Sequence, residues 1–402
     1  MPELANNKNF YFYVTLRGLT AVPASAFIIY ILWVSLNITK SSVISGIIDS
    51  ISMIPFFGAP IFGTLLDTSG KKKLFGVVGL CLAVMSILIV PYSYVSSTLM
   101  VKVSLLILAT LLFSSSREIL GSLYNVLSKS LLKKSQYRAG VSLENTVANV
   151  SRLIGQTFLG ITLIYSFFLT TTFLALFEIV AIVFLILIYT PIQQNKEGQR
   201  LKFIKEIRRG YNFVKKSKVV KGIIMTSVLT NLFVGMLDLI IVYLVEIKLS
   251  LSALFPSGIL VSLLSGTIIA TAISKKFGQN SFKIMGVGLV LAGIDLLFID
   301  FTVSYLYLLI IFIIFGIISG FIENAGSNLM VDEVDLKVFS RASGFVSASS
   351  SGAIFFSSII AGYVIFYFHY SSAILMIFIA LIVVGAIMFR LVEDWESSQN
   401  RQ

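Results

Sequence analysis

Apolar runs of membrane-crossing length recur along nearly the whole chain, and no other feature narrows the possible folds so far. Runs able to cross a bilayer, about 20 residues each, fall at roughly 10–36, 43–66, 74–94, 101–128, 139–165, 168–192, 219–245, 252–274, 282–302, 304–331, 342–366 and 370–391. The expectation is an all-α integral membrane protein with about twelve transmembrane helices. Composition agrees: 57% of residues are hydrophobic and only 12% charged, whereas a soluble chain is about half apolar and a quarter charged. Ala24-Ser25-Ala26 mimics a signal-peptidase site, but apolar sequence continues to Leu36. A signal h-region covers roughly 7–15 residues, so the first span is expected to be retained.

A net charge of +12 would suit a nucleic-acid binder if the basic residues formed a surface patch. They lie instead in the breaks between apolar runs. Alternate breaks carry Lys71 to Lys73, then Lys133, Lys134 and Arg138, then the basic stretch 196–221, then Lys275, Lys276 and Lys283, then Lys337 and Arg341. The other breaks hold only Lys40, Lys102 and Lys248. This alternation predicts a multi-pass protein of the cell membrane with both termini in the cytoplasm. The largest break gives a domain plan: an N-terminal half over 1–192, a linker over 193–218, a C-terminal half over 219–392 and a cytoplasmic tail over 393–402. In the linker, Ile204, Ile207, Tyr211 and Val214 recur at helical spacing among lysines and arginines, as in an amphipathic helix lying on an anionic leaflet.

The two halves repeat. Glu118-Ile-Leu-Gly121-Ser122 recurs as Glu323-Asn-Ala-Gly326-Ser327, and Arg138-Ala139 as Arg341-Ala342. An even number of spans per half implies a parallel repeat about the membrane normal.

Enzyme signatures are missing from the sequence. Six residues separate Gly63 from Gly70, where a phosphate-binding loop has four, and no Ser or Thr follows Lys71. The sole cysteine, Cys81, excludes an internal disulfide, and the sole histidine, His369, sits in a break between spans. No cofactor, metal or catalytic role is expected.

Ionisable residues inside apolar helices are costly in lipid and should face the bundle interior. Span four carries Arg117 and Glu118 on polar stripes, with Ser114, Gly121, Tyr124 and Ser128 on one and Ser122, Asn125 and Lys129 on the other. Span five adds Asn145, Asn149, Arg152 and Gln156. Span ten adds Glu323 and Asn324, span seven Asn231 and Asp238, and span one Arg17. Arg117, Glu118, Glu323, Arg152, Asp238 and Arg17 are the candidates for transport and proton coupling, with Asn145, Asn149, Asn231 and Asn324 lining a polar cavity. Glu178, Asp295 and Asp49 are read as structural, and Glu144 as part of a gating set with Arg138 and Arg152. Glu323, flanked by the uncharged Ile322 and Asn324, is expected to carry a proton more readily than Glu118 beside Arg117.

The break between spans two and three reads Gly63-Thr-Leu-Leu-Asp67-Thr-Ser-Gly70-Lys71-Lys72-Lys73. It resembles the loop signature of the major facilitator superfamily, Gly-x-x-x-Asp-x-x-Gly followed by basic residues. Arg117-x-x-x-Gly121 resembles that family's second motif, whose arginine lines the central cavity and is implicated in proton transfer. The resemblance implies two six-helix halves, with spans one, four, seven and ten around the cavity. Within the family, Asn9-Phe10, Asn37-Ile-Thr39-Lys-Ser41, Ile54-Pro55 and the Gly63 loop look like the efflux branch that includes macrolide and enterobactin exporters. Gly155-Gln156-Thr-Phe-Leu159-Gly160 departs from the Gly-Pro-x-x-Gly-Gly turn usual in the antiporters, lacking the proline and one glycine. The expected activity is proton-coupled export of a small amphiphilic organic molecule by a monomer in the lipid bilayer. Uptake by proton symport, or a non-transporting sensor or scaffold of the same fold, are the alternatives.

Overall fold

The structure, a computed structural model, describes residues 7–58, 62, 72–96, 98–132, 137–188, 213–252, 254–274, 281–301, 304–333 and 336–399. Gly63, Asp67, Gly70 and Lys71 of the loop motif lie outside the described residues, as does most of the linker expected at 193–218. Lys72 opens the next helix.

Eleven helices among the described residues are long and apolar enough to cross a membrane. The first, α1 (Lys8–Thr39), begins where the Asn7 side chain accepts the Phe10 amide at 3.1 Å. It ends at Lys40, whose left-handed φ of 51° returns its amide to the Leu36 carbonyl. The second expected span is described as far as Gly58 and again at Phe62. Helix α2 (Ser42–Ile51) gives way to a 3-10 turn at Ile54–Gly58, because Pro55 supplies no amide to continue an α-helix. Most of the rest of that span lies outside the described residues. The first group continues with α3 (Lys72–Ile89), α4 (Tyr92–Val95), α5 (Leu99–Leu131), α6 (Tyr137–Tyr165) and α7 (Phe167–Leu187). The Ser166 hydroxyl caps α7 by accepting the Phe168 amide.

The second group is α8 (Lys218–Val234), α9 (Leu237–Tyr243), α10 (Leu254–Ser274), α11 (Ser281–Leu297), α12 (Tyr305–Glu333), α13 (Leu336–Phe368) and α14 (Tyr370–Gln399). Span seven is interrupted twice. A turn at Gly235–Met236 separates α8 from α9, and a π-helix occupies Leu244–Lys248. The turn is tight: a Cβ on Gly235 would meet the Asn231 carbonyl at 2.7 Å and Ser357 Oγ at 2.8 Å.

The chain divides into two compact units, Met1–Gln199 with Val245–Ser257, and Arg200–Leu244 with Gly258–Gln402. In the first unit α1 is the axis. Its most apolar window is 78% buried, against 33–50% in the other spans, and α5, α6 and α7 pack on it. Phe10, Tyr13 and Leu16 join Leu80, Leu120, Leu123 and Leu185 in one core cluster. Within this unit Lys40 Nζ meets Glu246 Oε1 at 3.0 Å. In the second unit α11 packs on α12 and α14, and α8 on α13 and α14. There α10 and α12 approach backbone to backbone: a Cβ on Gly316 would run into the Leu263 carbonyl. Large apolar side chains such as Met85, Leu108, Phe168 and Ile186 remain exposed, as a lipid-facing surface requires.

Candidate functional site

Arg17, Glu144, Arg117 and Glu178 of the first unit meet along one face of α1. Tyr13, Arg17 and Thr20 follow i, i+4, i+7 spacing, so one stripe of α1 presents a phenol, a guanidinium and a hydroxyl in succession. Three helices supply their partners.

At the first level sits Glu144 of α6, which is buried. Its Oε2 accepts from the Tyr13 hydroxyl at 3.0 Å and from Arg17 Nη1 at 3.4 Å, and its Oε1 accepts from Ser128 Oγ of α5 at 2.7 Å. Arg17 Nη2 also reaches Asn145 Oδ1 at 3.4 Å, and its guanidinium lies 5.7 Å from the centre of the Tyr124 ring. Glu144 was expected beside Arg138 and Arg152. Its partners in the structure are Tyr13, Arg17 and Ser128, and the Arg138 side chain lies outside the described residues.

One turn further, the Tyr124 hydroxyl hydrogen-bonds Thr20 Oγ1, and Arg117 enters from α5. Its Nη1 donates to the Thr20 carbonyl at 2.8 Å, and its Nη2 forms an ion pair with Glu178 Oε1 of α7. The guanidinium also lies 4.6 Å from the centre of the Phe113 ring. The Glu178 side chain is 0% exposed and that of Arg117 15%. Two polar atoms of the pair stay unmatched among the described residues, Arg117 Nε and Glu178 Oε2. A buried pair normally completes its hydrogen bonds, and this one is half complete.

Beyond the Arg117 level lies Pro23, inside α1. Here Gln156 of α6 donates to the Ser25 carbonyl, and Ser25 Oγ to the Arg152 carbonyl at 3.0 Å. A Cβ on Gly155 would run into the Val22 carbonyl, so only glycine lets α6 approach α1 here. The Arg152 guanidinium is exposed and donates to Asn149 Oδ1 at 3.4 Å.

Arg17, Arg117, Arg152, Asn145 and Asn149 thus lie on three neighbouring helices of one unit. Glu118 is buried on α5, accepting from Ser122 at 3.3 Å. Glu323, Asn324, Asn231 and Asp238 belong to the second unit. There Glu323 is exposed, Asn324 Nδ2 reaches Thr271 Oγ1 at 3.5 Å, and Asn231 Nδ2 bonds the Ser227 carbonyl at 2.8 Å. Glu323 is therefore more exposed than Glu118, Glu144 and Glu178, all three of which are buried. Sequence reasoning missed Glu178 as Arg117's partner and Tyr13 and Thr20 as the continuation of the Arg17 stripe. A signal existed for each: Glu178 is the one charged residue in the 21-residue helix α7, and the other two lie four before and three after Arg17.

No group of three or more His, Cys, Asp or Glu able to hold a metal occurs among the described residues. The arrangement offers a guanidinium held between a backbone carbonyl and a carboxylate, which suits reversible charge neutralisation inside a membrane bundle.

The model of the Major Facilitator Superfamily matches residues 14–338. No curated protein matches the sequence. Among solved structures, a point mutant of the nucleoside transporter NupG aligns with TM-score 0.74 at 14% identity, over 95% of this chain and 99% of that one. A peptide transporter POT in complex with sulfate gives 0.73 at 12%, over 96% and 95%. A D-xylose-proton symporter gives 0.72 at 14%, over 94% and 96%. Identities this low speak to the fold alone.

Proposed function

Since the chain belongs to the major facilitator superfamily, we propose that it is a secondary active transporter that exports a small amphiphilic organic molecule in exchange for protons. In this reading the two halves expose a central cavity alternately to each side of the cell membrane, both termini lie in the cytoplasm, and the protein works as a monomer. The observation that carries it is the buried, half-satisfied pair of Arg117 and Glu178 against the middle of α1. A helix needed only as an anchor has no use for a charge in hydrocarbon, where insertion of one at mid-span costs roughly 2.5–3.5 kcal/mol. A scaffold could lose these charges without penalty; a coupled transporter could not. The resemblance of the first two spans to macrolide and enterobactin exporters favours export.

Proton-coupled uptake is the second reading, and one finding favours it: a D-xylose-proton symporter shares the fold. The two readings differ in sign. In vesicles holding the purified protein and an internal pH dye, an inward gradient of substrate drives protons outward under exchange and inward under symport. Compound classes are screened in turn. A pH response of the first sign supports export by exchange, and one of the second sign replaces it with symport. Vesicles that take up a compound without moving protons end both coupled readings.

A further inference from the structure

The sequence places several carboxylates in the spans, and geometry separates them. Glu144 has three donors, Glu118 one hydroxyl, and Glu323 is exposed. Glu178 is fully buried, paired to Arg117 through Oε1 alone, with Oε2 unmatched. Arg117 in turn holds the Thr20 carbonyl, three residues before Pro23. That carbonyl lies on the stretch of α1 where the proline interrupts the backbone ladder. The charge state of Glu178 therefore decides how firmly Arg117 is drawn toward α7 or left to α1.

We propose that Glu178 carries the coupling proton, and that its protonation releases Arg117 to hold α1 alone or to meet an anionic group. The proposal rests on the proton-coupled reading above. A proton from water binds Oε2 and turns the carboxylate into a neutral acid. The guanidinium keeps its own proton and charge, and the pair loses its Coulomb attraction. Loss of the proton on the other side of the membrane restores the pair. The helices packed on α7 carry further groups that can titrate or bear charge, Tyr13 of α1 among them. From α5 come Arg117, Glu118 and Tyr124, and Tyr124 interacts electrostatically with both members of the pair. From α1 come Arg17 and Tyr30, whose hydroxyl bonds Thr171 Oγ1 of α7 at 3.0 Å. From α6 come Glu144 and Arg152, and from α3 Lys73, whose Nζ donates to the Ile186 carbonyl at 3.0 Å. Arg117 is the hydrogen-bond partner of Glu178 among the described residues.

The test reads the proton directly. Infrared difference spectra of the reconstituted full chain, titrated with pH and without substrate, should contain a buried-carboxyl band. The band should vanish in Glu178→Gln and shift in frequency in Glu178→Asp, which keeps a carboxyl should the Gln variant fail to fold. With a compound identified by the vesicle screen, Glu178→Gln should bind it and exchange it, but lose acceleration by a pH gradient at least tenfold. A band unchanged in both variants overturns the assignment, as does an unaltered pH profile of transport in Glu178→Gln. A wild type that moves no protons with any transported compound overturns the proton-coupled reading instead. The titrating band then still reports whether Glu178 takes up a proton.

Discussion

Spans four and ten carry the same short sequence repeat, and the two units use it differently. In α5, Arg117 precedes Glu118 and forms a buried ion pair with another helix. In α12 the position before Glu323 is Ile322, and a Cβ on Gly288 of α11 would meet its Cγ1 at 2.7 Å. An aliphatic side chain seated against a glycine stands where the other half places a guanidinium. The first unit joins α1, α5, α6 and α7 through carboxylates, hydroxyls and guanidinia as well as the close approach at Gly155, and α10 and α12 of the second meet through Gly266, Gly316 and Gly320. Charge-mediated contacts can be switched by one proton. Backbone-to-backbone contacts have no such handle, and small residues in membranes make them close and stiff. Among the described residues, the ion pairs Arg17–Glu144 and Arg117–Glu178 lie in the first unit.

That contrast can be broken most sharply at Arg117. Arg117→Ala strands the Glu178 charge and should destabilise the protein by about 3–5 kcal/mol, whereas replacing both partners by leucine should recover most of that loss. Thermal or denaturant unfolding in detergent measures both. A single variant as stable as the wild type would mean that the ion pair holds nothing together. Next in size is a pair of glycine substitutions. Gly316→Ala pushes a methyl into the Leu263 carbonyl and should cost about 1–3 kcal/mol. Gly121→Ala, with nothing within 4 Å of its Cβ, should be neutral or gain up to about 1 kcal/mol in helix propensity. Equal melting shifts for the two would erase the distinction between a tight seam and an open helix face. Ser128→Ala removes one donor to Glu144 and should cost about 0.6 kcal/mol, the average for interhelical hydrogen bonds in membranes, and at most about 1.7 kcal/mol. Glu323→Gln should be the mildest. Its side chain is exposed, so stability should stay within about 0.5 kcal/mol and the response to a pH gradient should persist. Loss of that response would move the proton site into the second unit.

The sequence reveals the spans well and the pairings poorly. Hydropathy located eleven membrane-length helices because burial in lipid demands a length of apolar chain, a property local to each segment. It gave no sign of the 3-10 turn at Ile54–Gly58 or of the break at Gly235, since neither interruption changes mean hydropathy. The polar stripes on α5 and α6 were visible from their periodicity. Arg117's partner was not: Glu178 lies 61 residues away, and periodicity gives the face of a helix without saying which neighbour covers it. A lone carboxylate in an otherwise apolar helix implies that a partner exists somewhere, and only packing identifies it. The same reason separates Glu118 from Glu323, which look alike in sequence and differ in exposure because their helices are covered differently.

The π-helical turn at Leu244–Lys248 holds one residue more than an α-helical turn would use. Such a turn is a slack link in an otherwise fixed screw. If it tightened to α geometry, every residue on one side would advance by about 100° around the axis while most of the backbone ladder stayed intact. Glu246 lies within it, and an advance of that size would swing its carboxylate away from Lys40.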